Sequence, residues 1–296
     1  MKIETSCENC TGVRSGWQVI RLGAICFLAV TLLCLTAGRH SLARAGDDAS
    51  QVRLPGATLR LSLMAPEPDG FVRGVLSIDL EPGWKTYWTD PGPVGLAPSF
   101  DFRQSRGLGP VSVRFPAPVR FDEGGVASVG YTEPLLLPLS TSHVGSAPLQ
   151  AIVDLTLGLC RELCVPITAR LEAEASASLS TKALVLAAAR DIPVPGDPAA
   201  VRVSFDGSSL TVQVDAADVG NAPDVFLDSS GTFSIGSPHG PAARIDGLIT
   251  QRFPASVSNA ENAVSSSIDV VLTSGETARS YEGIPVTPVS PAGARP

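Results

Sequence analysis

Short runs in which apolar and polar residues alternate constrain this chain more than any other feature. Leu59-Arg60-Leu61-Ser62-Leu63, Val111-Ser112-Val113-Arg114-Phe115, Val201-Arg202-Val203-Ser204-Phe205 and Leu210-Thr211-Val212-Gln213-Val214 all repeat with period two. Neighbouring side chains on a strand point to opposite faces, so each run fits a strand with one buried face. The 28 glycines and 25 prolines fall mostly between such runs, where the chain must turn. The expected class is therefore all-β. One stretch differs: residues 181–190 are rich in Ala and Leu and predict a short helix capped by Ser180. Ile192-Pro193-Val194-Pro195-Gly196-Asp197-Pro198 follows as a stiff linker. These boundaries predict one β-sandwich over 50–178, a helix and Pro-rich linker over 179–199, and a second β-sandwich over 200–284. A disordered tail is expected over 285–296, where four prolines fall in twelve residues.

The start of the chain changes which residues count. Residues 22–37 form an apolar run that follows Arg14 and Arg21 and precedes Ala43-Arg44-Ala45. A basic start, an apolar centre and a small-x-small site read as a secretory signal peptide over 1–45, cleaved after Ala45. The apolar run of about 16 residues is short of the roughly 20 that cross a bilayer as a helix. An uncleaved anchor is the alternative. No later segment is apolar enough to span a membrane, so the mature chain is expected to be soluble. Four of the six cysteines (Cys7, Cys10, Cys26 and Cys34) leave with the signal, and the Cys7/Cys10 CxxC with them. The full chain carries −7, and residues 1–45 hold five Lys/Arg against two Asp/Glu, so the remainder carries −10. An acidic chain without basic patches argues against nucleic acid or an anionic membrane as partner.

The mature chain keeps two cysteines, Cys160 and Cys164. On one extended strand, residues four apart are about 13 Å distant, whereas a disulfide needs Cα atoms about 5.5–6 Å apart. The chain must turn between them, and a three-residue loop, Arg161-Glu162-Leu163, sets Cys160 opposite Cys164. The same register pairs Leu159 with Val165, Leu157 with Ile167, Leu155 with Ala169 and Val153 with Leu171, an apolar face throughout. The other face pairs Gly158 with Pro166, Thr156 with Thr168 and Asp154 with Arg170, and it includes the cysteines. A slip of one residue would scramble both faces. A single helical turn at 161–163 is the rival geometry. The pair is thus expected on the polar, exposed face, open to another protein's thiolate.

Three chemistries suit such a pair. A structural disulfide is ordinary in an exported protein. Yet closing a loop of about five residues contributes only about 2 kcal/mol, against about 4–5 for a loop of about 100, which favours exchange over stapling. Two thiolates could also hold Cu(I), although His143, His239 and Met64 stand at no motif spacing to them. Zinc would need two further ligands that the spacing does not identify, so no metal residue is assigned. No glycine motif for phosphate and no Ser or Asp cluster around His143 or His239 points to hydrolysis, and no cofactor is expected.

A second dense feature is Pro82-Gly83-Trp84-Lys85-Thr86-Tyr87-Trp88-Thr89-Asp90-Pro91-Gly92-Pro93-Val94-Gly95. Trp84, Tyr87 and Trp88 can plug the end of a sandwich, form a lid over the cysteines, or do both.

These residues resemble a known family. Pro82 to Trp88, Pro91-Gly92 with Gly95, Phe115-Pro116-Ala117-Pro118 with Arg120-Phe121, Gly130-Tyr131, and Cys160-Arg161-Glu162-Leu163-Cys164-Val165-Pro166 occur in the order found in the N-terminal periplasmic domain of DsbD/ScsB protein-disulfide reductases. The likeness covers about residues 55–172, and the three-residue cysteine spacing resembles the ScsB branch. Phe226 and Phe233-Ser234-Ile235-Gly236-Ser237-Pro238 resemble the remainder of that ectodomain. The resemblance implies an immunoglobulin-like domain in the periplasm whose cysteine pair relays reducing equivalents to disulfide-bearing periplasmic proteins. Cys164 corresponds to the cysteine that forms mixed disulfides, Cys160 to its resolving partner, and aromatic segments to a cap. The sequence has no multi-helix membrane domain and no thioredoxin module. A separate thioredoxin-like or CcdA/DsbD-type membrane electron donor is therefore expected, and autonomous reductase activity is in doubt. A copper-binding protein of a copper-tolerance system and an adaptor with a structural disulfide remain the alternatives.

Overall fold

The alternating runs are strands in the computed structural model, which describes residues 49–215, 223–257 and 266–289. All of these lie in one compact unit, Gly46–Pro296, so the signal-peptide reading of 1–45 falls outside the described residues. The strand Ala57–Met64 shows how the pattern is used: Ala57, Leu59, Leu61 and Leu63 are at most 2% exposed, while Arg60 faces solvent. Period two has become one buried face and one wet face.

The strands gather into two sheets. The first runs in the order Ser112–Val113, Leu135–Ser142, Phe71–Leu80, Ala57–Met64, Cys164–Ser176, Gln150–Cys160, Lys85–Tyr87, Val126–Tyr131 and Val119–Glu123. Leu59, Leu76 and Leu137 from one half of that path share a core with Val153, Leu157, Leu159 and Tyr131 from the other. One core fed from both halves means the sheet folds onto itself as an immunoglobulin-like sandwich. The second sheet runs Asp224–Asp228, Ser267–Ser274, Thr277–Pro288, Val201–Phe205, Ser209–Val214, Leu248–Val257 and Phe233–Ile235. Its core includes Val203, Val212, Phe253, Ile268 and Tyr281. The architecture is all-β with two sheets, as the alternation requires.

The connecting segments differ from the sequence reading. The helix spans Leu179–Arg190, and its cap is Ser178 rather than Ser180. Ser178 is extended, which leaves its Oγ free to accept the Thr181 N–H at 3.1 Å, whereas Ser180 lies inside the first turn. Val185 and Ala188 bury the helix against Val75. The proline-rich linker is woven into the second sheet: Val194 and Pro195 pair with Arg279 and Ser280, and Gly196 packs under the ring of Tyr281. A Cβ at Gly196 would fall 2.2 Å from that ring. The tail expected to be disordered from 285 is instead strand as far as Pro288, because Val286 is buried and pairs with Val203. Residues 290–296 of that tail lie outside the described residues.

The sandwiches meet along a mixed seam. Arg120 donates through Nε to Asp224 at 3.0 and 3.1 Å, donates to the Val225 carbonyl, and lies 4.6 Å over the Phe226 ring. Phe226 in turn meets Trp88 edge-on at 6.3 Å and joins the first core. Beside them, Ser229 Oγ donates to Asp90 at 3.2 Å.

Candidate functional site

Cys160 ends the strand Gln150–Cys160 and Cys164 begins Cys164–Ser176. The two strands pair in the register the hairpin demands, Cys160 with Cys164, Leu159 with Val165, and on through Val153 with Leu171. The cysteines form a disulfide with Cα atoms 4.1 Å apart. The helical-turn alternative is therefore excluded. Arg161, Glu162 and Leu163 form the exposed tip, with Leu163 80% exposed.

Two expectations need correction. The cysteines do not share an exposed face: Cys164 is exposed, but Cys160 is only 2% exposed. Pairing within the hairpin says nothing of the strand's other edge, and there Cys160 and Leu159 pair with Lys85 and Thr86. Thr86 Oγ1 donates to the Gly158 carbonyl at 2.9 Å and fastens that edge. The expected apolar face also breaks at one position, Val165, whereas Ile167 and Ala169 pack against the core and Leu171 is fully buried. Leu159 is buried, yet its partner Val165 is 46% exposed, because Cys164–Ser176 pairs with Ala57–Met64 only at its far end.

Of the three aromatics considered as a cap, Tyr87 is the one that sets a polar atom against the sulfurs. Its hydroxyl lies 2.9 Å from Cys164 Sγ and 3.0 Å from Cys160 Sγ. Trp84 packs on Gly56, where a Cβ would fall 2.1 Å from the indole, and Trp88 is buried toward Phe226. Those two act as packing. The position of Tyr87 depends on glycines: a Cβ at Gly158 would fall 2.5 Å from its ring, and one at Gly95 3.0 Å. Phe121 lies alongside with ring centroids 6.1 Å apart.

A fourth group, unforeseen in the sequence, completes the site. Glu123 ends the strand Val119–Glu123, and its Oε1 lies 2.9 Å from Cys164 Sγ. Tyr87 donates its hydroxyl to this carboxylate at 2.9 Å, and the buried Ser128 donates to Oε2 at 2.6 Å. Glu123 lies next to a Gly124-Gly125 turn, 37 residues before the first cysteine, and no local pattern ties it to the pair. Burial, and secondarily the Glu123 carboxylate, push the Tyr87 hydroxyl well above its usual range, so it remains a proton donor at neutral pH. Among the described residues, Glu123, Cys160 and Cys164 also form the one group of three potential metal ligands, with ligand atoms within 4.8 Å of one another.

Residues 57–176 match the family model described as "Thiol:disulfide interchange protein DsbD, N-terminal". Among solved structures, the chain is similar to the N-terminal periplasmic domain of ScsB from Proteus mirabilis. That match has a TM-score of 0.63 and 23% identity, covering 78% of this chain and 95% of that one. The reduced DsbD N-terminal domain of Neisseria meningitidis also matches, with a TM-score of 0.25 and 13% identity over 39% of this chain and 85% of that one. No curated protein matches the chain. The family match and the Cys160–Cys164 disulfide together support a role in thiol–disulfide interchange.

Proposed function

Taking residues 57–176 as a DsbD/ScsB-like N-terminal domain, we propose that this protein is a periplasmic thiol–disulfide relay. Its electrons come from a separate thioredoxin-like or CcdA/DsbD-type membrane donor and pass to periplasmic proteins that carry disulfides. The observation that carries this reading is the asymmetry of the pair: Cys164 is exposed, while Cys160 is buried beneath Tyr87. Thiol–disulfide exchange needs in-line access to one sulfur. A donor thiolate attacks Cys164 Sγ, the Cys160–Cys164 bond breaks, and Cys160 leaves as a thiolate that takes up a proton. The donor's second thiol then cleaves the mixed disulfide, so the donor is oxidised and the pair is a dithiol. In the forward half, Cys164 attacks a substrate disulfide and Cys160 resolves it, returning two electrons to the substrate.

The surroundings suit these steps. Tyr87 presents a hydroxyl within 3.0 Å of either sulfur, able to donate to whichever becomes the thiolate. Leu163 and Val165, 80% and 46% exposed, offer an apolar rim beside Cys164 for a partner's surface. No helix among the described residues is long and apolar enough to cross a membrane.

The test is trapping in cells. Cys160→Ser should accumulate a mixed disulfide through Cys164, seen as a reducible higher band, whereas Cys164→Ser should not. Absence of any trapped partner in the Cys160→Ser strain would refute the relay.

A further inference from the structure

We propose that the reduced pair, together with Glu123, is a zinc(II) site. A tetrahedral zinc with two thiolates at about 2.3 Å and a carboxylate oxygen at about 2.0–2.2 Å holds its ligand atoms roughly 3.6–3.8 Å apart. The three candidate ligand atoms already lie within 4.8 Å of one another, and Glu123 Oε1 is 2.9 Å from Cys164 Sγ. Once the S–S bond is cleaved, rotation of the exposed Cys164 side chain opens the sulfur–sulfur distance without moving the hairpin.

The carboxylate is prepared for this use. Ser128, which is fully buried, donates to Glu123 Oε2 at 2.6 Å, and Oε1 is the oxygen directed at Cys164. Holding one carboxylate oxygen from behind while the other faces the metal is the usual outer support of a metal ligand. Tyr87 donates to the same carboxylate from the side of the pair. The chemistry of the set favours zinc over Cu(I), because two thiolates with a hard oxygen suit a borderline divalent ion, while Cu(I) prefers sulfur alone. The Tyr87 hydroxyl, 2.9 Å from Glu123 Oε1 and Cys164 Sγ and 3.0 Å from Cys160 Sγ, stands at the fourth corner.

Binding is gated by redox state. A dithiol and Zn(II) give a zinc dithiolate and release two protons, with no electron transferred; the disulfide offers no thiolate and does not bind. Zinc therefore holds the pair reduced and shields Cys164 from exchange. The inference requires only that the pair can be reduced, not any particular donor or substrate.

The test uses the full chain, reduced and kept anaerobic, titrated with zinc against a chromogenic chelator. The expected result is one zinc per reduced chain, none for the oxidised chain, and two protons released per zinc. Cobalt(II) in its place should give thiolate charge-transfer bands. Glu123→Gln should weaken zinc binding by tenfold or more, and Ser128→Ala should weaken it less; disulfide formation and near-UV circular dichroism report that each variant folds. Folded Glu123→Gln with unchanged zinc affinity would overturn the site, as would zinc binding undiminished when both cysteines are serine. Cu(I) binding without measurable zinc binding would overturn it too. A trapped mixed disulfide without zinc binding refutes this inference alone, and zinc binding without trapping refutes only the relay.

Discussion

At the scale of single residues, the site depends on what is absent at position 158. Gly158 leaves the space that the Tyr87 ring fills, and the ring's hydroxyl then reaches both sulfurs. A methyl group there would fall 2.5 Å from the ring, so Gly158→Ala must displace Tyr87. The expected cost is about 1–3 kcal/mol, the range for overfilling a packed site. The sharper readout is local: with Tyr87 displaced, Cys160 in the reduced protein should become open to alkylation, whereas in the wild type only Cys164 reacts quickly. Equal protection of Cys160 in both proteins would show that Tyr87 does not cover it. How much of this was legible follows the same residues. The cysteines and their pairing could be read because hairpin register is a local property of apolar alternation. Tyr87 could be named but not separated from Trp84 and Trp88, since three aromatics within five residues give no hint of which one faces the sulfurs. Glu123 was not legible at all: a local hairpin pairs it with Val126, but it reaches the cysteines only because that hairpin pairs with the distant Tyr87 strand, Tyr87 opposite Gly130.

At the scale of elements, the two arms of the hairpin do different work. The outgoing strand Gln150–Cys160 has neighbours on both edges and sends Leu155, Leu157 and Leu159 into the core. The returning strand Cys164–Ser176 begins exposed, is half-buried at Ile167 and Ala169, and first becomes fully buried at Leu171. Cys160 is thus carried on the more buried arm and Cys164 on the more exposed one, which under the proposed relay would leave the attacked sulfur on the side open to a partner. Truncation should report the difference. Leu157→Ala removes a side chain only 1% exposed and should cost about 2–5 kcal/mol. Val165→Ala, at a site 46% exposed, should cost under about 1 kcal/mol, although both lie on the face that the register makes apolar. Denaturant unfolding of the two oxidised variants measures this; similar losses would mean that the returning arm is anchored as firmly as the outgoing one. The same distinction explains the limits of reading elements from sequence. Alternation reveals which residues share a face, but coverage of that face depends on neighbouring strands, and Val165 has none to cover it.

At the scale of the whole molecule, the second sandwich reaches the segment that carries Tyr87. Three residues beyond Tyr87, Asp90 accepts from Ser229, while Arg120 of the strand that ends in Glu123 is held by Asp224 and Phe226. Both non-cysteine groups of the site are therefore close in sequence to residues that touch the second sandwich. Asp90 gives that seam a pH dependence. Burial pushes its carboxyl up to about 6, opposed by the hydrogen bonds from Ser229 and reinforced by the nearby Asp228. The neutral acid is therefore favoured in the folded state. Its stabilising contribution is complete below the unfolded value of about 3.9 and is lost as pH rises through about 6. The loss across that window is at most about 3 kcal/mol, from a shift of roughly two units at 1.36 kcal/mol each. Asp269, also raised by burial, titrates in the same direction, so the wild-type profile alone does not isolate Asp90. Comparison with Asp90→Asn does, because the amide stays neutral throughout. The variant should match the wild type near pH 4 and become progressively more stable than it toward about pH 7. Parallel profiles in denaturant unfolding would show that Asp90 does not titrate in this window. If the gap opens as expected, alkylation of the reduced pair measured across the same pH range will report whether loosening this seam reaches Tyr87, and so whether the second sandwich helps to hold the cap in place.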